Sequence, residues 1–177
     1  LAVMNLEGIQ TRYDDPTVAI ETIVSASQDT VTNILQDIYT KPINENLIQT
    51  RVQQVKTVGS ICAVSVTPQN TKKLAPLAVE AGADVIVVQS TVTTARHISR
   101  SYKGLVLSEL IPSLKGVPLV VGNCVTYDAA LELIETGIDG LLVGVGPGAA
   151  CTTREVTGVG VPQVTATLEC AAAREHY

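Results

Sequence analysis

The sequence predicts an α/β protein built as a (β/α)8 barrel, and three observations carry that reading. Short aliphatic runs alternate with stretches of helical periodicity, the pattern of repeated strand–helix units around a parallel sheet. A frame recurs at two helix-to-strand turns: Glu80-Ala81-Gly82-Ala83-Asp84 and Glu135-Thr136-Gly137-Ile138-Asp139 both read Glu-x-Gly-x-Asp. The third observation is where the glycines fall. An open doubly wound sheet that binds dinucleotides carries G-x-G-x-x-G between its first strand and first helix. Here Gly144-Val145-Gly146-Pro147-Gly148 follows a late strand and runs into Ala149-Ala150-Cys151 with no obvious helix start.

Along the chain, residues 1–5 read as a strand already under way, as in a chain that begins inside a larger protein. The next part is more helical. Asp14-Asp15-Pro16 opens one helix, with the two aspartates as its cap and not as a carboxylate pair for acid–base work. Ile48, Val52 and Val55 mark the inner stripe of another helix, which stops at Gly59. Residues 61–66 form a strand broken by Thr67-Pro68. Leu74, Leu77, Ala78 and Ala81 then recur at helical spacing up to a left-handed stop at Gly82. Pro76 inside that pattern is expected to kink the helix or shift its start. Residues 85–88 are apolar at every position, as parallel strands covered on both faces tend to be. Residues 119–123 repeat the pattern, and Thr126 caps a helix carrying Ala130, Leu133 and Ile134 to Gly137. Residues 140–143 are the last strand. Pro162, at a first helical position, opens a helix through Ala166, Cys170 and Ala173.

Composition narrows the function classes. The 177 residues are 46% hydrophobic and 16% charged with a formal net charge of −5, enough for one sizeable core. With no basic cluster, binding to a nucleic-acid backbone is not expected, and the absence of Phe and Trp removes platforms for base stacking. No apolar run approaches the roughly 20 residues that cross a bilayer, so no membrane partner is expected, and no signal segment precedes the first strand. The 4 cysteines form no C-x-x-C pair and the 2 histidines have no zinc spacing. Free thiols in a reduced cytoplasmic setting follow.

In barrels, chemistry gathers on the loops after the strands' C-terminal ends. Those ends are Ser65-Val66-Thr67, Gln89-Ser90-Thr91, Gly122-Asn123-Cys124 and the run from Gly144 to Glu155. Glycines 144, 146 and 148 let the backbone approach a ligand closely. Peptide groups so spaced aim N–H donors at an anion or carbonyls at a cation. A thiol leaving such a loop is sterically open, and flanking N–H groups favour its thiolate. The same stretch is equally compatible with a tight turn around an inert small cysteine. Cys62 and Cys170 read as packed small residues. Cys124, at a strand end, either packs or approaches the site. His97 reads as a surface or cap residue, contact with a dinucleotide being the alternative, and the Ser and Thr residues from Ser90 to Thr94 either bond a ribose or satisfy their own loop.

The order of residues adds to this. GVGPGAACTTREVTGVGVPQVTATLECAAA resembles the catalytic loop and following helix of the IMP dehydrogenase / GMP reductase superfamily. VVGNCVT and DGLLVGVGPG resemble its fifth and sixth strands, ADVIVVQS its fourth, and LAVMNLEG the end of its second. The resemblance implies that residues 1–177 are part of a single catalytic barrel, from about strand 2 to helix 6. It also implies no CBS insertion, since the stretch between Asn5 and Ile61 is too short for one. By position it implies Cys151 as the nucleophile toward the purine C2 and Thr153 as the residue activating water or the leaving group. Gln89, Ser90, Asn123, Gly144, Val145 and Gly146 would contact the nicotinamide cofactor, and Ala149 with Cys151 the nucleotide. The carbonyls of Gly146, Gly148 and Cys151 would form a potassium site.

Departures from the pattern are Gln89 for a usual aspartate, Ala149 for a phosphate-binding serine and Leu142 for a common arginine. The ribose-binding aspartate and the mobile flap's base would lie after residue 177, leaving this segment inactive alone. Gly146-Pro147-Gly148 and Cys151-Thr152-Thr153-Arg154 lean toward the reductases and Glu155-Val156 toward the dehydrogenases, a mixture that resembles the IMP dehydrogenase-related proteins without CBS domains. The activity this implies is oxidation of IMP to XMP with NAD (or NADP) in a cytoplasmic homo-oligomer, tetrameric or octameric. The alternatives are reduction of GMP with NADPH, or a non-catalytic purine-nucleotide binder.

Overall fold

Each strand pairs in parallel with its predecessor in the chain. In the computed structural model, which describes residues 1–96 and 104–177, β1 (Val3–Asn5), β2 (Ala63–Val66), β3 (Val85–Gln89), β4 (Leu119–Cys124) and β5 (Gly140–Val143) lie side by side in that order. A doubly wound sheet would reverse its strand order at a central switch point, so an unbroken sequential order of parallel strands is barrel winding. The connection from β1 to β2 holds α1 (Thr17–Ser25), α2 (Val31–Thr40) and α3 (Glu45–Thr57). Between β2 and β3 runs α4 (Thr71–Ala81). The short α5 (Leu107–Leu110) continues into a 3-10 turn before β4, and α6 (Tyr127–Glu135) leads to β5. After β5 come α7 (Thr153–Thr157) and α8 (Gln163–His176).

The core is the layer between sheet and helices. Register places Val64 beside Ile86 and Ile86 beside Leu119, and likewise Val66, Val88 and Val121 in the next row. These six belong to one buried cluster with Ile48 and Val52 of α3, Leu74 and Ala78 of α4, Leu133 of α6 and Cys170 of α8. Alternate residues of each strand thus point at the helices, the remainder toward the barrel interior.

The repeated Glu-x-Gly-x-Asp frame has a structural cause. Asp84 donates its N–H to the carbonyl of Cys62 and accepts the N–H of Cys62 on its carboxylate, at 2.8 and 2.7 Å. Asp139 does the same to Leu119 at 2.9 and 2.8 Å. Each aspartate therefore pins the start of its strand to the start of the preceding one, and Gly82 and Gly137, at φ 101° and 89°, turn the chain out of the helix in time.

Several boundaries differ from expectation. Cys62 sits just ahead of β2 and not inside it, held by Asp84. α4 runs through Pro76 from Thr71 to Ala81, so the proline does not delay the helix's start. Pro162 is the residue before α8, with extended ψ, so the helix begins one residue later than expected. The glycine run, with no obvious helix start in the sequence, leads past Cys151 into one short turn of helix at Thr153–Thr157. Asp15 does cap its helix, accepting the N–H of Thr17 at 2.9 Å, and Thr126 accepts that of Ala129 at 3.4 Å. β1 and β5 are the two edges, and an apolar opening flanks each, one against Leu141, Val143 and Cys170, the other against Val3, Ile61 and Cys62. A closed barrel has no edges, and these two openings are apolar faces of the kind that neighbouring barrel strands and helices cover.

Candidate active site

The C-terminal ends of β3, β4 and β5 are knitted together by backbone and short side chains. Ser90 bonds both sides of the Gly122–Asn123 peptide across the gap, donating its N–H to the Gly122 carbonyl at 2.9 Å and accepting the Asn123 N–H on its carbonyl at 3.1 Å. Thr93, 5% exposed, donates its hydroxyl to the Gly122 carbonyl and its N–H to that of Asn123. The Ser90 hydroxyl bonds the Val92 carbonyl at 2.6 Å and the Thr94 hydroxyl that of Arg96 at 2.9 Å, so these hydroxyls satisfy their own loop. Asn123 Nδ2 donates to the Gly144 carbonyl at 2.9 Å and thereby ties β4 to the glycine loop. Gln163 of α8 braces the same point by donating to the Val143 carbonyl at 3.2 Å.

Gly122 is required by this packing. A Cβ placed there would stand 2.6 Å from the Leu142 carbonyl oxygen and closer still to Leu142 Cβ, where β4 and β5 shift register. The glycine therefore lets two strands meet beside Asn123 more closely than any side chain allows.

Between these ends lies an open groove of about 260 Å³, lined by Gln89, Ser90, Thr91, Asn123, Gly144 through Gly146, and Thr153. All six residues expected at the cofactor line it. The floor is glycine backbone and the rim is polar, which suits a flat, polar heteroaromatic ring and its sugar. Cys151 is half-buried beside it, its Sγ 3.2 Å from Thr153 Oγ1. Hydrogen bonds from the Thr153 hydroxyl and backbone hold the thiol below its ordinary pKa, and the positive charge of Arg154 adds to this while burial opposes it. The cysteine is thus not sealed in the core. Ala149 is exposed at the outer tip of the loop and does not line the groove.

The expected potassium cradle does not fit. The Gly148 carbonyl already accepts the Cys151 N–H at 3.1 Å and Arg154 Nη2 at 3.2 Å, which uses both of its lone pairs.

The other thiols are structural. Cys62, Cys124 and Cys170 are buried. Cys124 donates to the Thr126 carbonyl at 3.6 Å. Burial, with the Cys124 thiol beside it, pushes Cys170 up to about 12, and burial likewise raises Cys62. His97 lies outside the described residues. Among the described residues no three His, Cys, Asp or Glu side chains come together to hold a metal ion, and no helix is long and apolar enough to cross a membrane. Sequence reasoning missed Arg154, Gln163 and Glu7. The Glu7 carboxylate, on the loop after β1, takes the Thr67 N–H and hydroxyl and the Asn70 amide, locking the first two loops of this face. Its one legible signal was a lone acid immediately after a strand.

Fold and site together define a class: parallel α/β barrels that carry a hydrogen-bonded cysteine on a glycine loop after a late strand. Residues 49–177 match the family profile described as IMP dehydrogenase / GMP reductase domain, and the chain belongs to that family. The crystal structure of an IMP dehydrogenase/GMP reductase-like protein from Corynebacterium glutamicum superposes with a TM-score of 0.88 at 35% identity, covering 100% of this chain and 46% of that one. An uncharacterized oxidoreductase of Mycobacterium tuberculosis is 34% identical over 183 residues, again 100% of this chain and 48% of the relative. An inosine-5'-monophosphate dehydrogenase of Cryptosporidium parvum is 47% identical over 103 residues, 58% of this chain and 24% of the relative. A GMP reductase of Leishmania donovani is 40% identical over 121 residues, 64% and 23% respectively. The chain spans about half the length of the relatives that it matches end to end.

Proposed function

We propose that this chain is the nucleophile-bearing part of a single catalytic barrel, without a CBS insertion, that oxidises IMP to XMP with NAD. The observation that carries the reading is Cys151, half-open beside a polar groove with its sulfur 3.2 Å from the Thr153 hydroxyl and its pKa lowered. The thiolate adds to C2 of the purine and forms a tetrahedral adduct, raising electron density at the carbon that must lose hydride. NAD, held at the groove by Gln89, Ser90, Asn123 and the backbone of Gly144–Gly146, would supply the hydride acceptor. Loss of hydride leaves a thioimidate between Cys151 and C2. Water attacks that carbon, the C–S bond breaks, and XMP departs with the thiolate restored, one proton being released overall.

The chain's own residues have distinct tasks in that sequence. Thr153 stabilises the thiolate before attack and stands within reach of the water that follows. Asn123 holds the Gly144 carbonyl so that the glycine floor stays flat beneath the ring. Gln89 offers a neutral amide at the rim, where it would bond a ribose hydroxyl without discriminating strongly against a 2'-phosphate. The protein is read as a cytoplasmic homo-oligomer.

A second reading is favoured by Gly146-Pro147-Gly148 and Cys151-Thr152-Thr153-Arg154 together with the Leishmania donovani relative: Cys151 attacks C2 of GMP, ammonia leaves, and hydride from NADPH completes IMP. Intact protein is given IMP with NAD, then GMP with NADPH, while absorbance of the reduced nicotinamide is followed. A rise with the first pair, accompanied by a covalent adduct on Cys151 in the mass spectrum, supports oxidation. A fall with the second moves the protein to the reductase reading, and silence with both, with no adduct, leaves a nucleotide binder.

A further inference from the structure

The glycine loop carries a cation of its own. Arg154 lies in the first turn of α7, and its side chain folds back over the loop that precedes it. Its Cγ and Cδ lie against Gly160, where a Cβ would stand 2.7 Å from Cδ and closer still to Cγ. A Cβ at Gly146 would stand 3.4 Å from the same Cγ. The stem therefore occupies space that exists because both positions lack side chains. At its end, Nη2 donates to the Gly148 carbonyl at 3.2 Å, the same carbonyl that receives the Cys151 N–H. Val161 closes the other side by donating to the Val145 carbonyl at 3.0 Å.

We propose that Arg154 is a positioning residue whose tethered guanidinium does for this loop what a bound monovalent cation would do, so that the site works without potassium. A loop whose carbonyls turn inward concentrates negative ends of dipoles, and a positive charge must sit among them to keep the arc closed. A free ion meets that need only when several carbonyls converge on it with lone pairs to spare. In this chain the Gly148 carbonyl, which already accepts from Cys151 and Arg154, has none to spare. A guanidinium is always charged, weakly hydrated and directional, and its stem is packed against Gly160, so little freedom is lost when it bonds. By holding Gly148 it holds the hydrogen bond that fixes the Cys151 backbone, and through that the direction of the sulfur. The proposal rests on the reading of Cys151 as nucleophile for its catalytic consequence, though not for the geometry of the clamp.

The test measures hydrogen exchange in the peptide that spans residues 144–152 and turnover with IMP and NAD, in the intact protein. Both are recorded in choline chloride and in potassium chloride at equal ionic strength. Wild-type exchange and turnover are expected to agree within about twofold between the two salts, and Arg154→Ala is expected to speed exchange of the peptide by about tenfold, the scale of one charge-assisted hydrogen bond. Millimolar guanidinium or potassium should partly restore the variant, and Arg154→Lys should fall between. The idea is overturned if potassium alone raises wild-type protection or turnover by about tenfold, or if Arg154→Ala leaves exchange unchanged. Should the variant fail to fold, the wild-type salt comparison decides. Should turnover be absent because Cys151 is not the nucleophile, exchange and its rescue still decide the clamp.

Discussion

Replacing Gly122 by alanine tests whether the site depends on the close approach of β4 and β5. The added methyl would lie 2.6 Å from the Leu142 carbonyl oxygen and 3.0 Å from its Cα, well inside the 3.4 Å at which ordinary contact begins. Both are backbone atoms in a paired strand, so no side chain can swing away to make room. Overpacking a core by one methyl costs about 1–3 kcal/mol, and a collision with backbone belongs at the upper end. At roughly 1.4 kcal/mol per tenfold, the folding equilibrium should fall by between one and two orders of magnitude. The strain would relax by moving β5 outward, which lengthens the 2.9 Å bond from Asn123 to the Gly144 carbonyl and tilts the groove floor. Urea titration of intact protein should show a lower midpoint at unchanged slope, with turnover reduced more than the surviving folded fraction explains. A midpoint equal to wild type would mean that β4 and β5 do not meet as described, and the account of the site would go with it.

Other expectations follow from the same geometry. Because Thr153 lowers the Cys151 pKa, the thiolate fraction at neutral pH exceeds that of an ordinary thiol; iodoacetamide labelling should half-saturate below the usual thiol pH and move upward in Thr153→Val. In the native protein Cys62 and Cys170 should label far later, since burial raises both. The Cys170 shift has a stability consequence: as pH climbs from the ordinary 9.0 toward about 12, the unfolded chain loses a proton that the folded chain keeps, so stability should fall across that window in alkaline unfolding, and less in Cys170→Ala. Asp139→Ala strips the acceptor from the Leu119 N–H at the start of a fully buried strand residue and should cost about 1–3 kcal/mol in urea titration. Leu133→Ala, at a side chain 1% exposed between α6 and the sheet, should cost about 2–5 kcal/mol by the same measure.

The strands were legible because parallel strands covered on both faces become continuous aliphatic runs, as at 85–88, and 140–143 keeps that pattern although it lies at the sheet edge. Helix ends were legible where one residue does the work locally, as at Gly82 and Thr126. Cys151 stood out because its neighbours have almost no side chains, and a loop made so slim implies that something comes close to it. Pro76 did not shift the start of α4, because its cost is local while the burial of Leu74, Ala75 and Ala78 around it is tertiary, and the burial won. Arg154 and Gln163 looked like ordinary polar residues near short helices, since nothing nearby in sequence announces that their partners are backbone carbonyls across a loop.

What the sequence determined by itself was the list of elements, the repeated Glu-x-Gly-x-Asp turn and the cysteine worth watching, because periodicity, capping and side-chain size act over a few residues. What the tertiary structure decided was the register between neighbouring strands, and so which residues of the loops meet on the shared face. The bonds that set this join Asp84 to a residue 22 positions earlier and Asp139 to one 20 earlier. At such separations no local propensity acts, and the packing of the sheet against its helices selects the register.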